Sequence, residues 1–555
     1  MDFIAQSTPW TGIPVGEHLM LVSPMIALVC TMLGVVACPI ILGRSTRTIA
    51  GVGTLGILVT FILLLRVASR LAEGGGVGIF PVTGASGMLI VDNLSVAFQV
   101  ILVVFLAAVV WLWWMGSAET ERNAPEFFVL LLGSALGMAL MVSTANLLMI
   151  VIAIELASLP SYAIVGFDKR DRVGAEASLK YMIFGAVSAA IMIYGVSLLY
   201  GLVGSLNVAD VATYVSGNLV VGESRLLLGA ALLSFFAGIA FKISAVPFHF
   251  WCPDAFQGAK IEVTTWLSVA SKAAGLILLG RLVVVFCSAV GRQVEVSSLI
   301  APLAWVIGIM AAATCTLGNF AAYKQTSVKR LLAYSSIAHA GYMMMAAAVF
   351  IHPTLAGYQS GLTAMLTYIV IYLFMNLGAF GVTAMVVWDG GSDHVDAFNG
   401  LMRRTPWLAI PMVCCLMSLV GMPPFAGFLG KWWVLVALGG MQTASPGDGW
   451  FSLSWLGWFL IITASVNTLI GLYYYMRIVV RMTMRDDGQS PVRAPLGGVA
   501  IVNACAVILL VLTLAAQPLK RSAQRLTADL FRPSPTKTVE AGNDEAVAAV
   551  DGVKQ

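Results

Sequence analysis

The sequence predicts an all-α polytopic membrane protein of about fourteen transmembrane helices, from three observations: scarce charge, long apolar runs, and basic loops that alternate along the chain. Of the 555 residues, 59% are hydrophobic and only 10% are charged, and the mean hydropathy is +0.92. A soluble domain carries about 25% charged residues, so this surface holds less than half the charge needed to face water. It faces lipid. The net charge of +4 is too small for a nucleic-acid footprint. The charges cluster between apolar runs, where they act as topology signals.

A transmembrane helix needs about 20 apolar residues. That ruler marks segments at 19–42, 48–71, 94–115, 125–143, 145–166, 173–202, 225–250, 262–289, 299–320, 327–351, 361–388, 405–439, 452–482 and 494–516. These runs are too long and uniform for the period-2 strands of a barrel. The N-terminus, MDFIAQSTPW, lacks the basic region of a cleaved signal, so the first span is expected to be retained.

Lysine and arginine in short loops set orientation. The odd connections carry Arg44 and Arg47; Arg122; Lys169, Arg170 and Arg172; Lys260; Lys324, Lys329 and Arg330; Arg403 and Arg404; and Arg485 and Arg493. The even ones are nearly bare, with Arg292 in the eighth. Odd loops are therefore expected to be cytoplasmic and both termini periplasmic, although the basic stretch after Lys520 argues against the latter. The polar tail from Pro533 to Gln555 lacks apolar periodicity and is expected to be disordered.

The eight cysteines (Cys30, Cys38, Cys252, Cys287, Cys315, Cys414, Cys415 and Cys505) mostly fall in apolar runs and form no C-x-x-C. Neither a disulfide framework nor an iron–sulfur site is expected, and buried apolar packing is the plain reading.

Two apolar segments are interrupted by proline. FKISAVPFHFWCPDAF holds Pro247 and Pro253; SLVGMPPFAGFLGKWW holds Pro423 and Pro424 after Gly421. Interior proline removes a helix hydrogen bond and clashes with the preceding turn, and in lipid the freed carbonyls need partners in protein or water. Tight turns between separate helices are the alternative, but no loop sequence flanks either stretch. The breaks fall in the seventh and twelfth segments, five spans apart. An odd offset inverts the second copy, as in inverted-repeat transporters, whose broken helices adjoin the site.

Ionisable residues inside spans are functional candidates by default. Glu155 lies in LLMIVIAIELASLP, Lys180 in EASLKYMIFGA, Lys272 in WLSVASKAAGLILLG and His339 in YSSIAHAGYMMM; Lys242 precedes Pro247 and Lys431 follows Pro424. Lys180 is close enough to its helix start to snorkel to the interface instead. His339 equally fits a neutral core histidine. Arg66 and Arg281, near their span ends, read as interfacial anchors. Burial disfavours a charged amine, and a nearby carboxylate favours it. Moving such a pair apart is an electrostatic switch in a poorly screened medium. A row of these groups, bridged by water and by Ser244, His249 and Tyr334, has the pattern of a proton relay.

Four stretches carry a resemblance over roughly residues 20–515: AFKISAVPFHFWCPDAFQGA, TTWLSVASKAAG, YKQTSVKRLLAYSSIAHAGY and GMPPFAGFLGKWW. With them the chain resembles the antiporter-like subunit N family of bacterial proton-pumping NADH:quinone oxidoreductase, respiratory complex I. The resemblance implies fourteen helices in two inverted five-helix repeats with discontinuous helices 7 and 12. The corresponding division is 1–124 (helices 1–3), 125–289 (first repeat), 290–482 (second repeat), 483–532 (helix 14 and flank) and the tail 533–555. It implies a relay in which Glu155, Lys242 and Lys272 serve the first half-channel and Lys431 the second. His339 stands at the connecting position, and Lys180 looks like the family's sixth-helix lysine.

By the same resemblance no cofactor is expected in this chain. NADH, FMN, iron–sulfur clusters and quinone belong to partner subunits of the complex. The expected partners are other membrane subunits, including other antiporter-like ones, and the lipid bilayer, with no nucleic acid. The expected place is the bacterial inner membrane. A glutamate is usual in subunit M where Lys431 stands, and subunit L carries a long lateral helix that the short polar tail here does not supply. Subunits of multi-subunit cation/proton antiporters and membrane-bound hydrogenases share the core and are the competing reading. A passive spacer is the third.

Overall fold

The computed structural model describes residues 15–43, 45–74, 77–81, 87–116, 123–218, 225–289, 297–350, 355–390, 392–441, 452–485 and 490–529. Arg44, Arg122, Arg292, the side chain of Cys287 and the tail from Pro533 lie outside the described residues.

The helices are α1 (Val15–Ile41), α2 (Thr46–Gly74), α3 (Asn93–Gly116), α4 (Ala124–Val142), α5 (Leu147–Val165), α6 (Arg172–Val203), α7 (Val208–Asn218), α8 (Arg225–Ile243) and α9 (Trp251–Gly258). There follow α10 (Ile261–Trp266) and, after a π-helical turn at Leu267–Ser271, α11 (Lys272–Ala289). The second half holds α12 (Ser297–Ala322), α13 (Val328–Val349), α14 (Leu355–Gly390), the short α15 (Leu401–Arg404), α16 (Pro406–Val420), α17 (Ala426–Gly440), α18 (Leu453–Met484), α19 (Leu496–Leu514) and α20 (Ala516–Asp529). One antiparallel hairpin, β1 (Val77–Pro81) with β2 (Gly87–Val91), joins α2 to α3.

Among the described residues, twelve helices are long and apolar enough to cross a membrane. Two of the fourteen expected segments are not among them. The tenth is α13, which is buried along nearly its whole length and so keeps serines and a histidine that a lipid-facing helix would exclude. The twelfth is two short helices, α16 and α17. The last helix, α20, was not expected. Its polar sequence, AQPLKRSAQRLTAD, lies against α14, with Thr527 and Thr363 sharing a hydrogen bond.

The seventh, ninth, eleventh and thirteenth connections meet one another through their basic residues. Lys329 donates to the Ala259 carbonyl and Arg330 to Gln257. Arg477 donates to the Tyr323 carbonyl, and Arg404 to that of Ser490. Even connections meet each other likewise: Ile90 N donates to Ser143 O and Leu147 N to Leu206 O.

The same local device recurs on both faces. Asn146 caps α5 and bridges Asn207, joining two even connections; Ser327 caps α13 and bridges His394, joining two odd ones. Close helix contact recurs with it. A Cβ on Gly137 would meet Ala157 N at 2.2 Å, and one on Gly318 would meet Ala338 N at 2.6 Å, the small-residue packing that lets membrane helices approach. Residues 137, 147 and 157 thus correspond in register to 318, 328 and 338. The helix pairs α4–α5 and α12–α13 pack by the same device, with their caps on opposite sets of connections.

The breaks correspond too. Ala245 N donates to Ala240 O across Ser244, and Met422 N to Met417 O across Gly421. Ser244 and Gly421 both have positive φ, at 63° and 84°, so each first half-helix ends in a left-handed cap.

Candidate functional site

Lys242 lies in the last turn of α8, fully buried, and its Nζ has no hydrogen-bond partner. The capped end of α8 leaves carbonyls without helical partners and a partial negative charge there. Glu155, half-buried on α5, is within Coulombic reach of it. The first expected pair is therefore brought together without direct contact.

Lys272 follows the π-helical turn, a local widening often found at functional sites. Its buried ammonium donates to Ser336 Oγ on α13, lies 3.5 Å from Cys252 Sγ and stands 5.5 Å from the Phe256 ring centroid. Ser271 Oγ reaches the Lys242 carbonyl at 3.4 Å, joining the backbones that carry the two lysines. Cys252, read from sequence as plain packing, is thus a neighbour of the central lysine. His249 is buried in the break beside it, and Ser244 Oγ and His249 Nδ1 lack hydrogen-bond partners. Tyr334 is only partly buried.

His339 is held on both ring nitrogens. Nδ1 shares a hydrogen bond with Tyr368 OH at 2.8 Å and Nε2 one with Tyr475 OH at 3.3 Å. Tyr475 OH also bonds Ser335 Oγ. Lys431, on α17, donates to the carbonyl of Val420 at 2.9 Å, the last residue of α16, and stands 4.4 Å from the Tyr342 ring centroid. Each half-helix end before a break is thus approached by a lysine, from within the same helix in one repeat and from across the break in the other.

Lys180 stands apart. Its side chain is 43% exposed, 2.7 Å from Glu176 and 3.2 Å from Asp254. Arg330 joins the same carboxylate at 3.0 Å. The structure places it in an ion-pair cluster at the face of the odd connections and not beside Glu155. Arg281 corrects the expectation of an interfacial anchor: it is 8% exposed and pairs with Asp92 at 2.9 Å. The hairpin before α3 delivers that aspartate, a contact across 189 residues that no local pattern announces. Arg66 is exposed, as an anchor would be.

Sequence reading missed Ser335, Ser336, Tyr342, Tyr368 and Tyr475. A signal existed for some: Ser335, His339 and Tyr342 lie at i, i+4 and i+7, a polar stripe on one helix face. Tyr368 and Tyr475 arrive from α14 and α18 and carry no such mark. Chemically the ensemble is a set of groups able to accept or donate protons: Glu155, Lys242, Lys272, the two serines, Tyr475, His339 and Lys431. Among the described residues no His, Cys, Asp and Glu cluster suits a metal.

Paired bundles with broken helices, and two lysines, Lys242 and Lys272, sealed from solvent define an antiporter-like ion-translocating membrane protein. The family model described as NADH:quinone oxidoreductase/Mrp antiporter, TM, matches residues 144–445. NADH-quinone oxidoreductase subunit N of Anaeromyxobacter sp. (strain Fw109-5) is 37% identical over 461 residues, 80% of this chain and 86% of that relative. Subunit N 2 of Sorangium cellulosum (strain So ce56) is 37% identical over 468 residues, 81% and 88% of the two chains. A chain of respiratory complex I from Thermus thermophilus with bound aureothin superposes with a TM-score of 0.68 at 28% identity, covering 89% of this chain and 98% of its own. A chain of the Mrp complex from Dietzia sp. DQ12-45-1b shares the fold, with a TM-score of 0.76 at 19% identity over 94% and 98% of the two chains. The chain belongs to the NADH:quinone oxidoreductase/Mrp antiporter membrane family, in its subunit N branch.

Proposed function

We propose that this chain translocates protons as a membrane subunit of an NADH:quinone oxidoreductase, through Glu155, Lys242, Lys272, His339 and Lys431. The observation that carries the reading is Lys242: fully buried, unpartnered, at a helix break and within reach of one carboxylate. An amine so placed is costly to bury, and such a group inside a span is a functional candidate by default. Lys180, exposed and paired with Glu176 and Asp254, stands outside this line as a structural ion pair.

Redox chemistry belongs to partner subunits, which hold NADH, FMN, iron–sulfur clusters and quinone, and other antiporter-like subunits are the membrane neighbours. The basic odd connections belong to the cytoplasmic side of a bacterial inner membrane, with both termini periplasmic. The reading as a subunit of a cation/proton antiporter or a membrane-bound hydrogenase has the broader family model and the shared fold in its favour, but not the 37% identity to subunit N relatives.

The test uses inverted membrane vesicles containing the assembled complex. Lys242→Ala should abolish most NADH-driven proton uptake while native gels show intact assembly; an unchanged proton stoichiometry would refute the assignment. Lys180→Ala should change the rate by less than about twofold, as expected for an exposed ion pair.

A further inference from the structure

The two half-channels do not use the same counter-charge. In the first, Lys242 has Glu155. The register that matches 147 to 328 and 157 to 338 places Ser336 where Glu155 stands, so the second repeat has no carboxylate on that turn. Among the described residues, no aspartate or glutamate forms a salt bridge with Lys431. It meets the Val420 carbonyl at 2.9 Å and the face of Tyr342, whose centroid is 4.4 Å from Nζ, with the buried Cys315 thiol also within electrostatic reach.

That ring is fixed. Tyr342 is 3% exposed, and its hydroxyl shares a hydrogen bond of 3.2 Å with Thr468 Oγ1 on α18. Gly421 leaves the lysine stem its path, since a Cβ there would lie 3.0 Å from Lys431 Cδ. The ring therefore cannot swing away, and the stem is guided over it. The negative face of an aromatic ring attracts an ammonium within about 6 Å, more strongly where water is excluded. The attraction acts on the charged amine far more than on the neutral one. It distinguishes two protonation states without the full opposite charge of a carboxylate.

We infer that the π face of Tyr342 is the counter-group of Lys431, standing in the second repeat for the carboxylate that serves Lys242 in the first. Tyr342 is a positioning residue: it orients Lys431 and does not itself pass a proton along the relay. The inference rests on the reading that Lys431 takes part in proton transfer.

The experiment varies the ring face at nearly constant shape. In the assembled complex in inverted vesicles, position 342 is replaced by phenylalanine and by mono-, di- and trifluorinated phenylalanine, which progressively empty the ring face of negative potential. NADH-driven proton uptake and NADH oxidation are both followed. The phenylalanine variant should keep most of the proton uptake. The fluorinated series should fall stepwise, to about a tenth for the trifluorinated ring, with Tyr342→Leu no better. If the trifluorinated ring pumps like phenylalanine, the ring only fills space and the inference is overturned. Lys431→Ala separates the two failures. Should that variant pump normally, the relay reading itself falls; should it stop pumping while fluorination has no effect, only the role of Tyr342 falls.

Discussion

Lys272 and Ser336 join the two repeats: the ammonium comes from the last helix of the first bundle, and the hydroxyl that accepts from it comes from the second helix of the second. The next residue back along the chain, Ser335, bonds Tyr475, which in turn reaches His339. Two adjacent serines thus face two different partners, and the polar line passes from one bundle to the other within one helical turn.

Ser336→Ala should leave a buried ammonium without its oxygen acceptor, with only the weaker Cys252 sulfur beside it. A hydrogen bond to a charged group is worth about 1.5–3 kcal/mol, so proton uptake should fall by roughly ten- to a hundredfold. Ser336→Thr keeps the hydroxyl and should retain most of it. Equal rates for the alanine and threonine variants would show that Lys272 does not depend on this contact.

The Arg281–Asp92 pair is nearly sealed, at 8% and 14% exposure. Removing one partner strands the other. Arg281→Ala should destabilise by about 3–5 kcal/mol, read as a lower Tm of the purified complex. Arg281→Met combined with Asp92→Asn removes both charges and should recover much of the loss. A double variant as unstable as the single one would mean that packing, and not charge, sets the cost.

Gly421 has φ of 84° and its missing Cβ faces Lys431. A left-handed backbone costs a residue with a side chain about 1–2 kcal/mol. Gly421→Ala should lower Tm accordingly and displace the lysine, reducing proton uptake as well. Gly201→Ala, where nothing lies within 4 Å of the added carbon, is the control and should change neither. Wild-type behaviour of Gly421→Ala in both assays would remove the strain argument.

Hydropathy, the proline breaks and the buried ionisable residues were legible because each is local. A lysine in an apolar run is conspicuous wherever the chain folds. The division at Pro247 and at Pro424 followed from backbone chemistry alone. The tenth segment is long enough to span but not apolar enough: α13 is shielded by protein, so its composition answers to neighbouring helices and not to lipid, whereas the twelfth is divided by its break into two short helices.

The sequence by itself determined the solvent this protein lives in, the places where its helices break and the identities of the amines and carboxylate in its interior. Those depend on hydration cost and backbone geometry, which act within a few residues. Only the tertiary structure decided the partners. It set Lys272 on Ser336, Lys431 over Tyr342 and Arg281 on Asp92, and kept Lys180 among exposed carboxylates. Each of those pairings except the one between Lys180 and Glu176 spans tens to hundreds of residues. The register between inverted bundles creates them, and no short window of sequence contains that register.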